Sequence, residues 1–266
     1  MARMLFTVLV FLSLAGCASS EKAPGAAVSD LAPNGKLRAA INLGNPVLAL
    51  RDPAGGEPRG VSVDMARELA RRLGVALQLI PFDAAGKVVE AGKAGVWDIA
   101  FVALDPLRAA EIAQSTPYVV IEGAYLVREN SKIKVNHEVD LPGNRVVVGR
   151  GSAYDLFLTR NLKQAQIIRA DSSGKVVDFF LKENLEVAAG VKQQLEADAK
   201  RTPGVRILPG RFMVINQAMA SQRGRDAGAR YVREFVEEMK ASGFVARALE
   251  RHKIEGAAVA AAGDPK

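Results

Sequence analysis

The chain has 266 residues, 36 of them basic and 29 acidic, and a single cysteine, Cys17. One thiol excludes an internal disulfide framework and a cysteine-based metal site, so a chain of this length must stand on its hydrophobic core, as one large domain or two lobes. The net charge of +7, one unit lower without Arg3, suits nucleic acid, anionic lipid or an anionic ligand; the densest basic stretch, Arg223 to Arg233, runs into Glu234, Glu237 and Glu238 and reads as a solvated helix face.

In chain order, Arg3 precedes Met4 to Leu14, an apolar run of signal-peptide length. A bilayer span needs about 20 such residues, so residues 1–16 are predicted to be a signal peptide and no later segment to cross a membrane. Leu14-Ala15-Gly16-Cys17 resembles a bacterial lipobox. That resemblance implies cleavage leaving Cys17 as the lipid-bearing first residue, on the periplasmic side of the cell envelope; an ordinary secretory signal with an incidental cysteine is the alternative. Export argues against nucleic acid, and an anchored Cys17 leaves no thiol for catalysis. Residues 17–34, rich in Ala, Ser, Pro and Gly, read as a tether.

From Gly35 onward, short β-branched runs alternate with helical periodicity, the pattern of an α/β sheet covered by helices. Strands are predicted at Leu37 to Leu43, Ala76 to Pro81 and Trp97 to Leu104, with a helix from Asp64, as its cap, to Gly74 and another over Ala84 to Ala94. A capped helix starts near Pro106. Gly123 to Arg128 reads as an extended passage between lobes. A second block follows, with strands at Arg145 to Gly149, Gln166 to Arg169 and Leu185 to Gly190 and helices at Tyr154 to Lys163 and Val176 to Lys182. Val205 to Leu208 and Phe212 to Ile215 carry the chain back, Ala227 to His252 forms one long amphipathic helix, and the end frays. Trp97 to Val102 and Leu185 to Gly190 echo each other, an acidic residue entering a small apolar strand. Trp97 and Tyr118 read as packing residues.

Strand-to-helix turns are where open α/β sheets bind ligands, which directs attention to Asn42 to Val47, with Asn42 and Asn45, and to Leu104 to Arg108. Enzyme signatures are weak. Gly149-Arg150-Gly151 mimics a dinucleotide fingerprint, but Tyr154 fills its third glycine position. His137 and His252 lie in no metal-ligand spacing, and there is no Gly-x-Ser-x-Gly turn. No cofactor, metal or catalytic residue is expected.

Several linked stretches resemble the family 3 extracellular solute-binding proteins of ABC transporters: Gly35-Lys36-Leu37-Arg38, Gly60-Val61-Ser62-Val63-Asp64-Met65-Ala66, Trp97-Asp98-Ile99-Ala100, Pro106-Leu107-Arg108-Ala109, Ser115-Thr116-Pro117-Tyr118, Asp140-Leu141-Pro142-Gly143, and Arg145 through Ser152. The resemblance implies a two-lobed periplasmic-binding-protein fold of type II, joined by two hinge strands. Residues 35–124 and 212–254 would form lobe one, 125–211 lobe two and 255–266 a flexible tail. It implies a monomer that binds a small-molecule ligand, amino-acid-like or an organic acid, and presents it to ABC permease subunits in the inner membrane, touching the membrane through its lipid only. A cyclohexadienyl-dehydratase-like enzyme on the same fold, with Asp105 or Glu122 as acid or base, and a sensor without transport are the alternatives.

By the same resemblance, Arg108 grips the ligand carboxylate, a role suited to a planar two-point donor that stays charged. Asp105 stands where a hydroxyl residue is usual, so it either joins the selectivity or caps a helix and points away; an Asp-Pro pair favours the cap. The aspartate that meets an α-ammonium falls on Val191, with Lys192 and Gln193 beside it as substitutes for another ligand group. Gly151 and Ser152, ahead of a helix, offer amides and a hydroxyl to an anion.

Overall fold

The computed structural model describes residues 23–52 and 54–263, so the expected signal peptide and Cys17 lie outside the described residues. The chain forms α1 (Gly25–Leu31), β1 (Lys36–Asn42), α2 (Val61–Leu73), β2 (Ala76–Phe82), α3 (Ala85–Lys93), β3 (Ile99–Ala103), α4 (Pro106–Ala109) and a long β4 (Ile112–Arg128). It continues with β5 (Arg145–Gly149), α5 (Ala153–Asn161), β6 (Gln166–Ala170), α6 (Val176–Lys182), β7 (Val187–Val191), α7 (Lys192–Arg201), β8 (Val205–Ile207), β9 (Met213–Gln222), α8 (Asp226–Ala241), α9 (Phe244–Arg251) and β10 (Ala258–Val259).

The strands join in the order β2-β1-β3-β9-β4-β7-β5-β6, with β8 and β10 added on β4. Parallel β2-β1-β3 builds one lobe and parallel β7-β5-β6 the other, while β9 and β4 run antiparallel between them. All five residues of β3 and all five of β7 are buried, as expected for strands covered on both faces. Each fully buried Val, Ile or Phe side chain there contributes roughly 1.5 to 3 kcal/mol. Gly123 is the crossing point, paired with Met213 on β9 and with Val191 on β7. A Cβ at Gly123 would come within 2.7 Å of Met213 Cγ and 2.9 Å of Phe212 Cζ, so a larger residue there would have to displace those two side chains.

The two lobes share a device, buried in the first and partly exposed in the second. Asp98, just before β3, accepts the Arg38 amide at 3.0 Å and its Nε and Nη2 at 2.9 and 2.8 Å. Glu186, just before β7, accepts the Arg145 amide, Nε and Nη2 at 2.9, 2.8 and 2.9 Å. Each pair ties the entry of one central strand to its neighbour, which gives the sequence echo a structural content. Arg225 also donates to Asp98 at 2.8 Å. Burial opposes the Asp98 charge, but Arg38 and Arg225 outweigh it and hold the carboxyl below its ordinary range.

Several expectations are corrected. The predicted tether includes α1, whose Ala27 and Leu31 are buried, and whose Asp30 accepts the Gly228 amide of α8 at 2.9 Å. The predicted tail includes β10, which pairs with Val119 and Val120 of β4, while buried Lys240 donates to the Ala261 carbonyl. The last helix is two helices, broken where Gly243 adopts φ 74°. Asp64 is not the cap of α2; Gly60 precedes that helix, and the Asp64 carboxylate meets Arg251 at 2.7 Å and His252 at 2.8 Å. Trp97 is buried as core, its Nε1 donating to the Val88 carbonyl, and buried Tyr118 pairs with Ser62.

Candidate functional site

Two strand-to-helix turns meet where the lobes face each other. In the first, β3 ends at Ala103 and Asp105 caps α4, its Oδ1 accepting the Leu107 amide at 2.9 Å with Pro106 at the first helical position. This tight turn brings Arg108 back beneath the strand end, where it is only 3% exposed. Its Nη1 donates to the Ala103 carbonyl at 3.0 Å and its Nη2 crosses to the Gly151 carbonyl at 2.8 Å. Burial draws the guanidinium down to about 10, against the opposing pull of Asp105, so it remains charged at neutral pH.

In the second turn, Ser152 caps α5 by accepting the Asp155 amide at 3.0 Å, and Gly151 supplies the left-handed bend at φ 68°. Gly86, at the start of α3, approaches so closely that a Cβ on Gly151 would lie 2.8 Å from its Cα. Between the turns is a small cavity of about 30 Å³.

Of the residues expected at a site, Asn42, Asn45, Arg108 and Ser152 line this cavity. Gly151 contributes its carbonyl to Arg108; its amide donates to Asp155 at 2.8 Å, and the Ser152 amide to the Gly149 carbonyl at 3.0 Å, so the expected pair of free anion-binding amides is not present there. Asp105 points away from the cavity: its Oδ2 accepts from Arg160 of α5 at 2.7 Å. Lys192 and Gln193 do not line the cavity either. Because α7 begins at Lys192, the helical turn sends Lys192 to Glu122 at 3.2 Å and Gln193 to the Glu255 carbonyl at 3.3 Å, beside a larger groove of about 490 Å³.

The residues missed in sequence include Tyr154, Ser173, Ile215 and Gln217. Tyr154 follows the Gly151-Ser152 turn and was legible there; Gln217 sits on a returning strand with no local signal. Glu122 is held below the usual carboxylate range by Arg211 at 2.6 Å and Lys192. Among the described residues there is no cluster of three or more His, Cys, Asp or Glu able to hold a metal ion, and no helix long and apolar enough to cross a membrane.

Residues 37–254 match the bacterial extracellular solute-binding proteins, family 3. The chain belongs to that family. The family is extracellular or periplasmic and works with ABC transporters on small-molecule ligands. Its fold is the two-lobed periplasmic-binding-protein fold, shared with several solved structures. The solute receptor for L-cysteine of Neisseria gonorrhoeae is 22% identical at a TM-score of 0.74, covering 84% of this chain and 92% of that one. A mutant of ArgBP from T. maritima is 21% identical at 0.73, over 85% and 98%. An ancestral amino acid-binding protein described as a precursor of cyclohexadienyl dehydratase is 21% identical at 0.72, over 84% and 98%.

Proposed function

We propose that this family member is the solute receptor of an ABC importer, lipid-anchored through Cys17, and that it captures a small carboxylate-bearing metabolite between its lobes. The observation that carries the reading is Arg108: a charged guanidinium buried at the lobe junction, bonded to one main-chain carbonyl from each lobe and lining the cavity between them. Carbonyls are weaker partners for a guanidinium than a carboxylate, whose two oxygens match its fork and cancel its charge. A ligand carboxylate arriving at Arg108 would therefore strengthen closure from both sides. The hinge is the pair β4 and β9, with residues 35–124 and 212–254 on one side and 125–211 on the other.

The dehydratase alternative needs a free acid or base, and both candidates are engaged, Asp105 by Arg160 and the Leu107 amide, Glu122 by Arg211 and Lys192. The receptor reading is tested by melting the purified mature protein against a panel of carboxylic, amide and amino metabolites, with mass spectrometry of whatever co-purifies. A ligand that binds only the native protein raises the melting temperature by mass action. A panel in which no carboxylate does so contradicts the reading. Loss of uptake of the same metabolite on deletion of the gene supports the transport role.

A further inference from the structure

We propose, building on the receptor reading, that the cleft selects a compact carboxylate carrying a hydroxyl or other neutral polar group and excludes its amino counterpart. Among the described residues that line the cavity, Arg108 is the one charged side chain. A ligand ammonium placed there would find no carboxylate on the cavity wall to pair with, and an unpaired buried charge is costly.

Carboxylates on the elements around the cavity are already committed, Asp83 to Lys87 at 2.9 Å among them. Asp105 gives one oxygen to the Leu107 amide and the other to Arg160. Asp155 accepts the Gly151 amide at 2.8 Å and Arg169 Nε at 3.0 and 3.1 Å. Glu122 is shared between Arg211 and Lys192. The cavity wall at the end of β7 is instead the apolar side chain of Val191, 7% exposed.

Neutral polar capacity, by contrast, is present. Asn45 is 6% exposed and lines the cavity, and its Oδ1 has no hydrogen-bond partner. A buried amide oxygen left unpaired is unfavourable, and a ligand hydroxyl is a neutral donor able to satisfy it. Compactness follows from the closure itself. The Gly86 and Gly151 backbones touch and the Asp105–Arg160 pair bridges the lobes at 2.7 Å, so each added ligand atom must be accommodated by parting these contacts.

The test is calorimetry on the mature protein with matched pairs that differ only in the group beside the carboxylate: lactate against alanine, and glycolate against glycine. The expected result is at least tenfold tighter binding of a hydroxy acid than of its amino partner. A Val191→Asp variant that folds is expected to shrink or reverse that ratio. Equal or tighter binding of the amino acid by the wild-type protein overturns the proposal, whatever the variant does. If neither pair binds while larger carboxylates raise the melting temperature, this inference falls and the receptor reading stands; if no carboxylate of any size does so, the receptor reading falls with it.

Discussion

Asp105 and Arg160 lie 2.7 Å apart across the lobe junction, so the residue that caps α4 in one lobe is also tied to α5 of the other. The pair joins the two lobes through protein groups alone. The Arg160 side chain is 39% exposed, which places the pair near the weak end of ion-pair energies. Arg160→Ala is expected to shift the balance away from closure by about 1 kcal/mol, roughly fivefold. Small-angle scattering of the free protein checks this, with a larger radius of gyration expected in the variant.

Gly86 and Gly151 separate contact from strain. Gly151→Ala adds a Cβ against Gly86 and also forces an alanine to φ 68°, at roughly 1–2 kcal/mol for the backbone. Gly86→Ala adds a Cβ 3.3 Å from Gly151 Cα with no such conformation to hold. Both are expected to weaken ligand binding severalfold by calorimetry, but only Gly151→Ala is expected to lower the melting temperature clearly.

The Asp98 cluster predicts an acid limit to stability. Its carboxyl is held below the ordinary range in the folded protein, so the unfolded chain takes up that proton first. The stabilisation is complete above the ordinary aspartate pKa of about 3.9 and is lost as pH falls through the lower folded value. Asp98→Asn should cost about 3 kcal/mol near neutrality and flatten the acid side of a denaturation profile. Glu186→Gln breaks the corresponding pair in the other lobe, where both side chains are about one-third exposed, and should cost only about 1 kcal/mol.

These two clusters also show what the sequence made legible. Asp98 and Glu186 stand just before two short apolar strands, a local pattern, and the alternation of strands with helices and the cap at Asp105 follow from patterns of that kind, whereas the placing of Arg108 at the junction is what the family resemblance implies. What escaped is set by distant packing. α1 reads as linker because its seven residues carry no cap and little periodicity; it is helical because α8 buries Ala27 and Leu31. Helix α7 is polar nearly all round, with Leu195 its main apolar anchor, so its start at Lys192 leaves no local signal, and Lys192 and Gln193 turn to Glu122 and the Glu255 carbonyl. Pro117 and Gly123 resemble strand breaks, yet β4 runs through both, with register shifts around Pro117 absorbing the missing donor.

The membrane anchor is separately testable. Cys17→Ser is expected to release the mature body from the membrane or stall its processing. Partitioning into the detergent phase on extraction is the readout, and a processed variant that still partitions there contradicts a lipid on Cys17.

The most direct measurement is calorimetry of Arg108→Ala with the carboxylate that binds the wild-type protein most tightly, alongside circular dichroism to establish that the variant is folded. Losing the guanidinium leaves the ligand charge unpaired in a closed cleft, and binding should weaken by about 2 to 5 kcal/mol. A folded variant with unchanged affinity would show that the carboxylate is held elsewhere.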